Sequence, residues 1–244
     1  MEDAVYNPLA DKLCSFTDLS TNDRAALDDM VRDCERHRAN TDIISEGDRP
    51  DAVIFMIEGW ACRYKVLADG NRQIMAYLLP GDLCDPHVFI LDRMDHSIAL
   101  LTDAKLAFIP KDTIIELTDR HPAIGRALWW ATLVDEAVLR HWLLNNGQRD
   151  AYARIAHLFC ELWDRLTQVN LRHGNQMEVP LTQEQLGDTM GLTGTHVNRT
   201  IGRMREEGLI EMHNKNLRIL DIDRLREVAE YDPTYLHQHR RTNA

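Results

Sequence analysis

What this sequence lacks narrows it first. Among 244 residues it has 28 Lys+Arg against 39 Asp+Glu, a formal net charge of −11. An acidic surface repels the phosphates of nucleic acid, which taken alone argues against such a partner. No unbroken apolar run is longer than Ala52 to Ile57, far short of the ~20 residues that cross a bilayer as a helix, so no membrane span is expected. Met1-Glu2-Asp3-Ala4 is acidic and lacks the basic-then-apolar leader of an exported chain; a cytoplasmic setting is expected. The five cysteines, Cys14, Cys34, Cys62, Cys84 and Cys160, lie far apart. They form no C-x-x-C pair for zinc or redox work and no tight group of three of the kind iron–sulfur clusters commonly use. They read as reduced thiols, most of them buried as small hydrophobes. No Walker loop, nucleophile elbow or paired-carboxylate motif is present.

What is there is a globular chain, 44% apolar and long enough for one large or two modest domains. Ser20 as N-cap, Asp23 three residues on, and Leu27, Met30, Val31 and Cys34 at i, i+3, i+4, i+7 predict an amphipathic helix over Thr21 to Arg36. From about Thr41 to Pro110 the pattern changes. Val53–Ile57, Trp60–Leu67, Gln73–Leu79, Ser97–Leu101 and Lys105–Ile109 read as strands, punctuated by Glu46-Gly47-Asp48, Glu58-Gly59, Asp69-Gly70 and Pro80-Gly81-Asp82, a sandwich or roll. Pro122 then starts a helix that Asn146-Gly147 should stop. Its span Ala123 to Asn146 holds 15 apolar residues in 24, with Trp129, Trp130 and Trp142 among them, too many for one buried face. Either it is the central helix of a monomeric core or, as its ~36 Å length and tryptophans favour, it also pairs with a second copy. Leu128, Ala131, Val134, Val138 and Trp142 are the candidate seam. Asp150 caps a further helix with a stripe of Ile155, Leu158, Phe159, Leu162 and Leu166.

The stretch Leu181 to Leu220 says most. Thr182-Gln183-Glu184-Gln185 is a capping box, Leu186 and Met190 face inward, Gly191 supplies a left-handed turn residue, and Thr193 caps a second helix with Val197, Ile201 and Met204 inside. Two short helices about a glycine turn leave Gly194, Thr195, His196, Asn198 and Arg199 facing outward, where a recognition helix meets base edges. Arg199 suits a guanine O6/N7 pair, while Asn198 and Thr195 suit an adenine edge or a thymine methyl. Leu209–His213 and Leu217–Leu220 form a hairpin about Asn214-Lys215-Asn216 that lays Lys215 on the phosphate backbone, giving a winged helix-turn-helix. Such units also serve as protein-interaction folds; the polar outer face with Arg199, Arg203 and Arg205 favours double-stranded DNA. The DNA-contact candidates are Thr182, Gln183, Thr193, Gly194, Thr195, His196, Asn198, Arg199, Arg203 and Lys215. The acid is unevenly spread, with 25 acids against 16 bases in residues 1–149 and 14 against 12 in 150–244. Phosphate attraction must therefore come from local placement of Arg199, Arg203, Arg205, Lys215 and Arg218.

A glycine-punctuated roll, a long apolar helix and a C-terminal winged helix, in this order, resemble the CRP/FNR family of bacterial transcription regulators over nearly the full length. The marks are Ser45-Glu46-Gly47-Asp48, Ile57-Glu58-Gly59 and Pro80-Gly81-Asp82 in the roll, Arg154-Ile155-Ala156 in the helix after the long one, and Leu192-Thr193-Gly194-Thr195-His196-Val197-Asn198-Arg199. The resemblance implies an α+β chain: an antiparallel, double-stranded jelly-roll-like β-roll sensor over residues 1–120, a dimerisation helix over 121–148 and a winged helix-turn-helix DNA-binding domain over 149–244. It also implies a homodimer on a palindromic promoter site, contact with RNA polymerase, and a hinge at Asp150.

The departures from the family pattern bear on the effector. Members that bind cyclic AMP carry a glutamate for the ribose and an arginine-serine pair for the cyclic phosphate; here Pro86 and His96-Ser97 stand at those places. A neutral imidazole does not replace a bidentate guanidinium, so cyclic AMP is not expected. The oxygen-sensing branch has an N-terminal cysteine cluster, of which only Cys14 is present, and an iron–sulfur cluster is not expected. His87 stands where a haem-based carbon-monoxide sensor of the family has its iron ligand, but that sensor's thiolate position is offset by one from Cys84, and haem is not expected. Cys84, Asp85, Pro86, His87, His96 and Ser97 are the effector-region candidates, and no metal site is assigned. Thr195 replaces the family's usual glutamate in the recognition helix, after Gly194, so the operator should differ from the best-known half-sites. The competing class is a cupin-like metalloenzyme with an accessory interaction domain. Gly81 to His87 matches the start of its metal motif, but Phe89 removes the second imidazole and too few ligands remain. A protein that is not an enzyme is expected. Purified protein should show no Soret absorbance and no tightening of DNA binding with cyclic AMP; either signal overturns the reading.

Overall fold

The structure, a computed structural model, describes residues 6–85 and 92–238. Helix α1 (Pro8–Cys14) starts on Asn7, whose side-chain oxygen accepts from the N–H groups of Leu9 and Ala10. Helix α2 (Thr21–Met30) starts on the expected capping box, Ser20 with Asp23. It ends six residues short of the expected Arg36. Asp28 and Asp29 crowd its C-terminal end, where a helix disfavours negative charge, and Glu35–His37 is claimed as strand β1 by pairing with the strand Ala104–Pro110. Tertiary pairing here overrides a local helical period.

The remaining strands of the roll are β2 (Asp42–Ile44), β3 (Ala52–Glu58), β4 (Ala61–Val66), β5 (Arg72–Leu78), β6 (Leu83–Cys84), β7 (Ser97–Leu100) and β8 (Ala104–Pro110). They form two four-stranded sheets, β1-β8-β3-β6 and β2-β7-β4-β5, antiparallel in the registers seen. The five strands expected from sequence are present within a residue or two at each end; β1, β2 and β6 are too short for periodicity to reveal. At Gly59, φ is +92° and a Cβ would stand 2.5 Å from the carbonyl oxygen of Asp103, so only glycine lets the β3–β4 turn pass that backbone. Asp82 builds its turn from inside: its carboxylate accepts from the Leu79 N–H at 2.7 Å and pairs at 2.5 Å with Lys12 of α1, both side chains nearly buried. A buried charge is tolerated only when paired in this way.

Helix α3 (Lys111–Arg120) leads to α4 (Pro122–Gln148), which starts on the expected proline but runs through Gly147. The outer face of α4 differs from the expected seam. Leu128, Val134, Val138 and Trp142 are buried by the chain's own atoms and Ala131 is half-buried, while Trp129 (77% exposed), Leu133, Leu139, Leu143 (75%) and Leu144 are open. A helix with two apolar faces does not say from sequence which one its own domain covers, and the seam assignment is corrected accordingly. Two compact units emerge: one holds the described residues through Lys65 with Tyr77–Asp135, the other Val66–Ala76 with Glu136–Leu236. Among the described residues no helix is long and apolar enough to cross a membrane.

The second unit contains α5 (Ala151–Gln168), β9 (Gln176–Glu178), α6 (Gln183–Met190), α7 (Gly194–Glu206), β10 (Ile210–His213), β11 (Asn216–Ile219), α8 (Ile222–Val228) and a 3-10 turn, Pro233–Leu236. Asp150 caps α5 through Ala153 N–H at 2.8 Å, and the whole predicted stripe from Ile155 to Leu166 is buried. Beside it lies a buried polar cluster. Glu161 accepts from the Trp142 indole (3.1 and 3.2 Å) and the Tyr235 hydroxyl (2.8 Å). His157 meets Asn145 at 3.0 Å and packs against Tyr231 and Tyr235. Burial, with the Arg149 charge nearby, pushes the His157 imidazole down to about 3. Folded protein therefore keeps His157 neutral while unfolded chain takes up a proton below about pH 6.5, so this residue adds no pH dependence above 6.5 and costs stability as pH falls below it. Urea unfolding from pH 6.5 to 4 should show the wild type losing about 1.4 kcal/mol per pH unit more than His157→Gln; parallel curves would mean that His157 is protonated in the fold.

Candidate nucleic-acid interface

The helix pair is built by its caps. Thr182 and Gln185 close the predicted box, the threonine hydroxyl accepting from Gln185 N–H at 3.1 Å and the glutamine oxygen from Thr182 N–H at 2.8 Å. Gly191 ends α6 in the left-handed region (φ 64°), and the Thr193 hydroxyl accepts from His196 N–H at 3.3 Å to start α7. Val197, Ile201 and Met204 are buried, which turns Thr195, His196, Asn198 and Arg199 to solvent together. Thr182, Gln183, Thr193, Arg203 and Lys215 are also exposed, and Gly194 is partly so. Sequence reading missed Gly187, in the middle of α6. A Cβ there would stand 2.4 Å from the Leu192 carbonyl oxygen, so this glycine permits the turn to fold back against α6; its position four residues before Gly191 was the available signal.

The last carbonyls of α6 are also held. Thr189 O accepts from Asn146 (3.1 Å) and from Gln73 (3.2 Å), and Met190 O accepts from Arg154 at 2.7 Å. Arg154 donates as well to Arg149 O at 2.8 Å, which gives the arginine of Arg154-Ile155-Ala156 a role: it joins the α4–α5 connection to the end of the first helix. Arg72 pairs with Asp188 of α6 at 2.7 Å. Guanidinium groups at a helix C-terminus are favoured by the partial negative charge there.

The wing is a three-stranded sheet, β10-β11-β9, with β9 added to the predicted hairpin. Asn214 and Lys215 have φ of 47° and 69°, the pair of positive values a two-residue hairpin turn demands, and they put exposed Lys215 at the tip. The basic groups are unequal. Arg218 faces Glu211 at 3.4 Å and Arg203 is bonded to Glu207 at 2.7 Å. Among the described residues, Arg199, Arg205 and Lys215 have no carboxylate within ion-pair distance.

Of the effector-region candidates, Pro86 and His87 lie outside the described residues. Cys84 is fully buried, and burial pushes its thiol well above the usual range. His96, at the place of the cyclic-phosphate arginine, has its two ring nitrogens 3.0 Å from Asp85 and 2.6 Å from Asp95. Burial opposes its charge, but these carboxylates outweigh burial and the imidazole is raised above its ordinary value. Ser97 Oγ accepts from Glu46 N–H at 3.0 Å. The neighbouring Arg63 is spent on Asp85 (3.4 Å), Asp135 (3.6 Å) and the Leu83 carbonyl oxygen (3.3 Å). Among the described residues here, an anion would meet the carboxylates of Asp85 and Asp95 while the Arg63 guanidinium is already paired, whereas a phosphate is held best by a guanidinium free to bind it in bidentate fashion.

Comparison with known proteins agrees with this architecture. Residues 34–121 match the cyclic nucleotide-binding domain and residues 153–228 the Crp-like helix-turn-helix domain. The chain is 30% identical over 192 residues to the transcriptional activatory protein AadR of Rhodopseudomonas palustris, covering 77% of each. It is 26% identical to the transcriptional activator protein FnrL of Cereibacter sphaeroides, over 84% of this chain and 83% of that one. The structure of FixK2 from Bradyrhizobium japonicum superposes with a TM-score of 0.74 at 21% identity, over 82% of this chain and 98% of that one.

Gly187→Ala should lower stability by about 1–3 kcal/mol through overpacking against backbone. Gly202→Ala, where a Cβ meets nothing within 4 Å inside α7, should be neutral or raise stability by up to about 1 kcal/mol. Urea denaturation of both variants checks the pair; equal effects would remove the close-approach argument.

Proposed function

This chain belongs to the CRP/FNR family of DNA-binding transcription regulators, and from that premise we propose that it acts in the cytoplasm as a homodimer on a palindromic promoter site, where it engages RNA polymerase. The observation that carries the DNA contact is the outward row Thr195, His196, Asn198 and Arg199 at the N-terminal end of α7, with the Arg199 guanidinium exposed and without an ion-pair partner among the described residues. An unpaired planar guanidinium in that position suits a guanine edge. The homodimer is supported by the open stripe of Trp129, Leu133, Leu143 and Leu144 on α4, a face whose second copy would bury large apolar side chains. Two-fold symmetry then asks for two half-sites one helical turn apart.

The same reading makes the chain a regulator and not an enzyme, and its effector not cyclic AMP. The aspartates about His96 and the commitment of Arg63 support that exclusion. Burial pushes the Cys84 and Cys160 thiols well above their usual range, which supports reading both as structural thiols; neither haem nor an iron–sulfur cluster is part of this reading.

The test starts from duplexes selected by the wild type out of a random pool. Two chains should bind each selected duplex, and Arg199→Ala should cost about 1–3 kcal/mol on it while relaxing preference at one base pair per half-site. Equal loss on selected and random duplexes would make Arg199 a phosphate contact, and one chain per duplex would overturn the dimer.

A further inference from the structure

Arg203 lies one helical turn beyond Arg199 and reads from sequence as another DNA contact. Its surroundings say otherwise. Its guanidinium carbon stands 4.4 Å from the ring centroid of Tyr152, and its Nε donates to Glu207 Oε1 at 2.7 Å. The Tyr152 hydroxyl donates to the other oxygen, Glu207 Oε2, at 2.5 Å. Both carboxylate oxygens are thus taken, one by each partner. An exposed i,i+4 pair alone stabilises little. The third member changes that, because Tyr152 belongs to the first turn of α5, just after the Asp150 cap, while Glu207 is the C-cap of α7. Arg224 of α8 adds a hydrogen bond to Glu207 O at 3.2 Å, holding the same helix end through its backbone. The hydrogen bonds from Tyr152 and Arg203 keep the half-buried Glu207 carboxyl below its usual range, and burial with the Glu207 bond raises the tyrosine to about 12. Across the neutral range all three stay in the protonation states the clasp needs.

We propose that Arg203 is a positioning residue and not a DNA contact: with Tyr152 and Glu207 it clasps the C-terminal end of the recognition helix to the start of α5 and so sets the angle at which Thr195, Asn198 and Arg199 are presented. The clasp rests on the reading of α7 as the recognition helix. A planar guanidinium stacked on a ring while donating through Nε is a task lysine cannot perform, although lysine serves a phosphate well.

The experiment compares Arg203→Ala, Arg203→Lys, Tyr152→Phe, Glu207→Gln and the double variant Arg203→Ala/Glu207→Gln with the wild type. Fluorescence anisotropy reads binding to the selected duplex and to a random duplex, over a series of salt concentrations. Each single variant, Arg203→Lys included, should weaken binding to the selected duplex about threefold or more, leave random binding within twofold, and keep the wild-type salt slope. The double variant should be no weaker than its worse single. The proposal is overturned if Arg203→Lys restores wild-type binding, if Arg203→Ala lowers the salt slope by about one and weakens both duplexes alike, or if Tyr152→Phe and Glu207→Gln bind as the wild type does. Tyr152→Phe removes a single oxygen and keeps the stacked ring, so it reports on the clasp if larger changes impair folding. If the variants melt earlier but bind the selected duplex normally, the triad is a stability element only and the proposal fails. Arg199→Ala separates the premise: if it binds the selected duplex normally, α7 is not the reading helix, whatever the clasp variants do.

Discussion

A single carboxylate, Glu161, holds the second unit in register. It is fully buried, and burial raises its pKa, while the hydrogen bonds it accepts and the Arg165 charge pull the other way. Its donors come from three places in the chain: Trp142 on the long helix, Tyr235 in the C-terminal 3-10 turn, and Arg165 one turn along α5. A buried carboxylate is costly unless its oxygens are satisfied, so these elements are bound to one arrangement; loss of any donor leaves a carboxylate oxygen of Glu161 short of a partner. Asp164, three residues on, repeats the device with Tyr231 and Arg226. With α5 fixed in this way, its first turns do the remaining work, Arg154 holding the end of α6 and Tyr152 the end of α7. The placement of α6 and α7 against α5 therefore goes back to a carboxylate buried away from the surface.

The excess of acid is reconciled with DNA binding by local pairing. Several arginines of the second unit are already occupied by carboxylates, among them Arg203, Arg218 and Arg226. This spends positive charge on internal geometry and leaves few cations for phosphate. A binder of this kind gains little from random DNA and relies on contacts made at a specific site. The same economy appears in the roll, where Arg63 is committed to Asp85 and Asp135.

The caps, turns and apolar stripes were legible because they are local. Ser20, Asp150, Thr182, Thr193 and Gly191 each take the place their chemistry demands, and the stripes of α5 and α7 are buried as a 3.6-residue period requires. Short strands escaped because three residues carry no period, and Glu35–His37 became strand only because β8 lies beside it. The face of α4 was misassigned for a related reason: Leu128, Val134, Val138 and Trp142 looked as suitable for a second copy as Trp129, Leu133 and Leu143, and only the packed chain shows which set it covers itself.

By itself, then, the sequence determined the order of elements, the helix pair with its wing, and the identity of Arg199 as the residue to watch, since each follows from spacing within a few residues. Only the tertiary structure decided which arginines are free and which are spent, because an arginine's partner can lie tens of positions away, as Asp135 does from Arg63 and Asp164 from Arg226. It also decided that Gly187 is needed, through a carbonyl oxygen no spacing rule locates. The charge of a side chain is written in the sequence, but its availability is set by what the fold places within 4 Å of it.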